Sequence, residues 1–90
     1  MFQKIKDAVD KMRRKRYKKI YAECRCGHAE ISMFLYHEHD YSLDHYPELL
    51  NYAKHIRSKL EDLTENDWFR LNCPDDYEDA KELLSYFARV

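Results

Sequence analysis

Gly27 is the only glycine in this 90-residue chain, and it sits between two runs in which apolar and polar residues alternate. A tight turn needs a residue that tolerates positive φ, so a lone glycine flanked by alternation predicts a β-hairpin. In the first run, 17–24, Ile20, Ala22 and Cys24 alternate with Lys19, Tyr21 and Glu23. In the second, 29–37, Ile31, Met33 and Leu35 alternate with Ser32, Phe34 and Tyr36. A two-residue turn at Cys26-Gly27 pairs Ala22 with Ile31 and Ile20 with Met33 on a buried face. It also sets Glu23 opposite Glu30, a like-charge pair that favours a longer or bulged turn.

Three other segments carry helical periodicity. Phe2, Ile5, Val9 and Met12 predict an amphipathic helix over 2–15. Leu49, Ala53, Ile56, Leu60 and Leu63 predict a long one over 45–63, with Asp44 as N-cap and Pro47 in the first turn. Pro74 opens a third over 75–88, with Tyr77, Ala80, Leu84 and Phe87 inward and an acidic start, Asp75, Asp76, Glu78 and Asp79, at the positive end of the helix dipole. Between the last two, Phe69, Leu71 and Cys73 alternate as a third strand over 68–73, although Thr64-x-x-Asp67 has the form of a capping box. The expected fold is therefore α+β: a small antiparallel sheet packed with three helices, in the order α-β-β-α-β-α, forming one domain over 1–90.

The hydrophobic fraction, 44% with eight Tyr, four Phe and one Trp, supplies one modest core and excludes a disordered chain. No apolar run reaches the length of a membrane span, and the basic N-terminus lacks the apolar stretch of a secretory signal. Three cysteines, an odd number, argue against a disulfide scaffold and for a reducing, cytoplasmic setting.

Charge is divided unevenly. Residues 1–28 hold ten Lys/Arg and three Asp/Glu, whereas 29–90 hold six and fourteen. The halves are thus +7 and −8, consistent with the net −1. Such a chain presents one sign of potential to one partner and the other sign to another. The basic run Arg13, Arg14, Lys15, Arg16, Lys18 and Lys19, interleaved with Tyr17 and Tyr21, suits phosphates and stacked bases. The segment from Tyr36 to Tyr52 holds four Tyr and three of the five His, residue types common on recognition surfaces.

Cys24, Cys26 and His28, with His37 and His39 or with Cys73, are zinc-ligand types. An extended strand over 29–37 would hold His28 and His37 ~30 Å apart. The remaining set is Cys24, Cys26, His28 and Cys73, and the expectation is no metal and no cofactor. His37, Glu38, His39 and Asp40 offer acid–base groups, but no nucleophile elbow, phosphate loop or HExxH helix accompanies them.

The expected function is non-enzymatic binding to a larger protein through Tyr36, Tyr41, Tyr46, Asp75, Asp76 and Asp79. Small, glycine-poor, charge-split proteins of this style include phage and mobile-element inhibitors of host defence or nucleic-acid-processing machines. Clustered carboxylates imitate a phosphate backbone in that role. The alternative is a small nucleic-acid-binding regulator using the basic N-terminal helix, with or without zinc.

Overall fold

The computed structural model describes residues 2–90. Every regular element among them is helical: α1 (Phe2–Glu38), a 3-10 turn (Leu43–His45), α2 (Pro47–Thr64), α3 (Asp67–Asn72) and α4 (Pro74–Tyr86). The expected antiparallel sheet is absent, and the α+β reading is corrected to an all-helical one.

Both hairpin strands belong to a single 37-residue helix, α1. Its buried residues, Tyr21, Cys24, Gly27 and Ile31, with Tyr17, His28 and Leu35 half-buried, recur every three or four positions. Ala22 and Met33, which the strands would bury, face solvent. Gly27 makes no turn. It lets α2 approach α1 closely, because a Cβ there would lie 2.9 Å from the Tyr52 hydroxyl and 3.2 Å from Ile56 Cγ1. Glu23 and Glu30 are consequently not paired across strands, and Glu23 meets Lys59 of α2 at 3.4 Å.

α1 stops at His39, whose φ of 52° is left-handed. The His39 N–H donates to the Tyr36 carbonyl and the Asp40 N–H to the Leu35 carbonyl, both at 3.2 Å. This pair of bonds is the Schellman termination, which satisfies carbonyls a helix end leaves open.

α2 starts at Pro47, with Tyr46 rather than Asp44 in the cap position, and buries Ala53, Ile56, Leu60 and Leu63. Residues 68–73 are not a strand. The Asn66 side chain accepts from the Phe69 N–H at 2.8 Å and starts α3, which buries Phe69 and leaves Leu71 71% exposed, with Cys73 buried at its C-cap. On α4, Ala80 and Leu83 are buried, as is Phe87 just beyond it.

α1, α2 and α4 run up, down and up around a core that includes Phe69, Leu60, Ala53 and Ala80, each fully buried. The molecule measures 57 × 19 × 17 Å. Its long axis matches α1, since 37 helical residues span ~55 Å. The first three turns of α1 project beyond the bundle by about 16 Å at ~1.5 Å per residue. Their expected core stripe is exposed: Ile5 by 58%, Val9 by 41% and Met12 by 72%. The Phe2 side chain lies outside the described residues.

Candidate protein-binding site

The chain folds back at residues 39–46, and this reversal builds an aromatic cleft between α1 and α2. Phe34 comes from α1, Tyr46 and Pro47 from the start of α2, and Leu49 and Tyr52 from its first turns. The cleft encloses about 620 Å³ and opens to solvent, with His45 and Glu48 completing its wall. Phe34 and Tyr46 meet edge to face, with ring centroids 4.9 Å apart and planes at 88°. That geometry fixes two walls at a right angle. Tyr52 is wedged over Gly27, and Phe34 and Tyr52 each keep 39% of their surface exposed.

Electrostatics around the cleft are acidic. Asp40 accepts from His45 Nδ1 at 2.6 Å and from the Ser42 N–H at 3.1 Å. The His45 bond, followed by the Ser42 bond, holds the Asp40 carboxyl below its ordinary range, and the same bond to Asp40 raises the His45 imidazole. Tyr46 is raised by partial desolvation, then by the Asp40 and Glu38 carboxylates. Asp44 and Glu48 are exposed close by in sequence.

This pair has a defined pH window. The raised His45 contributes fully below the ordinary imidazole value and loses its contribution as pH rises through the raised one. The lowered Asp40 contributes above the ordinary carboxylate value and loses its contribution as pH falls through the lowered one. The reversal is therefore held best between roughly pH 4 and 6.5. In an NMR titration the His45 midpoint should drop toward the ordinary imidazole value on Asp40→Asn. Equal midpoints in the two proteins would show that the 2.6 Å contact does not form in solution.

The other sequence-predicted residues fall elsewhere. Tyr36 and Tyr41 are exposed by 63% and 73% near the reversal, and neither lines the cleft. Asp75, Asp76 and Asp79 occupy the first turns of α4, where the Asp79 and Asp76 carboxylates, after burial, raise the Tyr21 hydroxyl. Tyr21 and Tyr36 are separated along α1 by ~22 Å, at ~1.5 Å per residue. The acidic and tyrosine clusters thus lie toward opposite ends of the bundle and do not form one surface.

Arg13, Arg14, Lys15, Arg16, Lys18 and Lys19 are all exposed. None is in an ion pair among the described residues. Arg13 lies over the Trp68 ring at 6.0 Å.

The candidate metal ligands are not brought together. Helical geometry turns Cys24 and Cys26 ~200° apart, so one is buried and the other exposed. His28 packs against Tyr86, with centroids 5.0 Å apart, and Cys73 is buried. No group of three or more metal-ligating side chains occurs among the described residues.

No family model, curated protein or solved structure matches the chain. Of the cleft aromatics, Tyr46 stood among the expected binding residues and Tyr52 closed the Tyr36–Tyr52 recognition segment, whereas Phe34 lay outside both. Phe34 and Tyr52 are eighteen positions apart and come together only through the reversal. No local sequence signal marks them as a pair.

Proposed function

We propose that this protein is a non-enzymatic binding module that captures an apolar side chain of a larger protein in the Phe34–Tyr46–Tyr52 cleft. The single observation that carries this reading is the cleft itself: aromatic walls held open to solvent on two packed helices. Aromatic side chains in preformed pockets are where binding energy concentrates at protein interfaces. The acidic rim, Glu38, Asp40, Asp44 and Glu48, selects a partner segment whose apolar anchor is flanked by Lys or Arg. Binding of this kind works by occupying the partner's surface, as an inhibitor of a host machine does. The three free cysteines support a reducing compartment such as the cytoplasm. No helix among the described residues is long and apolar enough to cross a membrane.

A second reading is favoured by one observation, the absence of ion-pair partners for the six cations of 13–19 among the described residues. Exposed cations on several sides of one helix, continued by Lys4, Lys6 and Lys11 on its projecting turns, suit the major groove of a duplex, where phosphates line both walls.

Quantitative pull-down from the native cell separates the two. Phe34→Ala should reduce recovery of the principal protein partner by roughly tenfold or more, the effect of a hot-spot truncation. Charge reversal at Arg14 and Lys15 should leave that recovery largely unchanged. Loss of recovery only on charge reversal, together with direct duplex binding that weakens steeply with salt, would replace the cleft reading with the nucleic-acid one. Circular dichroism of each variant guards against unfolding.

A further inference from the structure

The projecting turns of α1 carry an amphipathic pattern that the bundle does not use. At ~100° per residue, Ile5, Ala8, Val9 and Met12 fall within an arc of about 100°. All four are exposed, Ile5 by 58% and Met12 by 72%. The arc lies about 100° round the helix from the buried row Tyr21, Cys24 and Ile31, so the bundle packs beside it and not over it.

Charge is ordered around this arc. Lys4, Lys11 and Lys15 line one edge, and Lys6 and Arg13 line the other. Arg16 and Lys19 close its end nearest the bundle. The two acids of the segment, Asp7 and Asp10, lie about 150° from the centre of the arc, on the far side of the helix. Asp7 there accepts from the Gln3 side chain at 3.1 Å. None of the flanking cations is in an ion pair among the described residues. Residues 1–19 hold nine Lys/Arg and two Asp, a net +7.

We infer that the projecting turns of α1 lie on an anionic lipid bilayer, with Ile5, Val9 and Met12 entering its interfacial layer. The argument is charge complementarity in depth as well as in sign. A bilayer places an apolar layer beneath a sheet of negative headgroups, and α1 places an apolar arc between two rows of cations. The lysine stems follow the apolar residues inward while their ammonium groups stay among the headgroups. The acids point away from the surface. A nucleic-acid duplex would engage the cations but offers no apolar layer to the arc. Because the arc stands clear of the bundle by about 16 Å, the helix enters the surface by tilting at its N-terminal end. No helix among the described residues is long and apolar enough to cross a membrane, so α1 lies on the bilayer and does not span it.

Three large apolar side chains make a weak anchor alone. Attachment therefore needs the polybasic flanks as a second signal, and it is reversible and specific for anionic lipid. Phe34 is 22 residues beyond Met12, ~33 Å along α1, so the cleft stays open to a partner when the N-terminal turns are on a membrane. The membrane contact does not depend on the cleft reading.

Co-sedimentation of the full chain with vesicles tests this. The protein should sediment with vesicles of phosphatidylcholine and phosphatidylglycerol in equal parts, and should stay in solution with phosphatidylcholine alone. Ile5→Gln with Val9→Gln and Met12→Gln keeps every charge and should weaken vesicle binding by roughly tenfold or more. Lys4→Gln with Lys6→Gln and Lys11→Gln should weaken it as well, and raised salt should do the same to the wild-type protein. All six positions stand outside the bundle, so the melting temperature should not change in either variant. Absence of sedimentation with the mixed vesicles would overturn the proposal. So would equal binding to neutral vesicles, or a Gln-for-apolar variant that binds as the unaltered chain does. Duplex DNA bound more tightly than the mixed vesicles, and equally by that variant, would assign the cations to nucleic acid instead.

Discussion

Phe69→Ala should lower the unfolding free energy by about 3–5 kcal/mol, the cost of emptying a fully enclosed aromatic site. The ring is fully buried at the junction of α3 with α1 and α4, packing edge-on against Tyr17 at 5.9 Å and near Tyr77 at 6.5 Å. A domain of this size has only about 5–15 kcal/mol in total, so the variant should sit near the edge of stability. Urea denaturation measures the change. Leu71→Ala provides the contrast. A strand over 68–73 would turn Phe69 and Leu71 to the same face, whereas α3 leaves Leu71 71% exposed and its truncation within about 0.5 kcal/mol of neutral. Comparable losses at both positions would contradict the helical assignment.

Gly27→Val should destabilise by about 1–3 kcal/mol through overpacking against α2. The added carbon atoms enter the space held by Ile56 and the Tyr52 hydroxyl. Gly27→Ala should cost less, because Ala recovers ~1 kcal/mol of helix propensity lost at glycine. Combining Gly27→Ala with Ile56→Ala should show a favourable coupling of about 0.5 kcal/mol or more, since truncating Ile56 makes room for the new methyl. Additive losses would mean that residue 27 does not face α2. The same substitution tests the cleft, because Tyr52 is positioned over Gly27 and its displacement moves one wall.

Parts of this architecture are written plainly in the sequence. The stripe Leu49, Ala53, Ile56, Leu60 and Leu63 is wholly aliphatic, and its helical period is unambiguous; α2 lies where the stripe indicates. The buried side of α1 is different. Tyr17, Tyr21, Cys24, Gly27, His28, Ile31 and Leu35 have the right spacing, but several carry polar groups and one has no side chain. Their period is faint, while Ile20, Ala22, Cys24 and Ile31, Met33, Leu35 alternate strongly with polar neighbours. The alternation is a by-product of a helix with apolar residues on two sides, one packed in the bundle and one exposed to solvent. Period-two reasoning joined residues from both sides into one false strand face. Gly27 strengthened the error, because glycine marks close helix approach as well as turns. Phe69 and Cys73 are four apart, a spacing that a helix and a strand both place on one face, so the pair could not decide 68–73. The cleft was legible in Tyr46 and Tyr52 of the tyrosine-rich segment, whereas its Phe34 wall depends on where α1 ends and α2 turns back.

The continuity of α1 through Gly27 underlies the fold and the cleft, and backbone NMR of residues 20–36 tests it most directly. Helical carbon shifts and sequential i to i+3 contacts should run unbroken from Tyr21 to Tyr36, with no change at Gly27. Extended-chain shifts on both sides of Gly27, with a cross-strand contact between Ala22 and Ile31, would contradict the account.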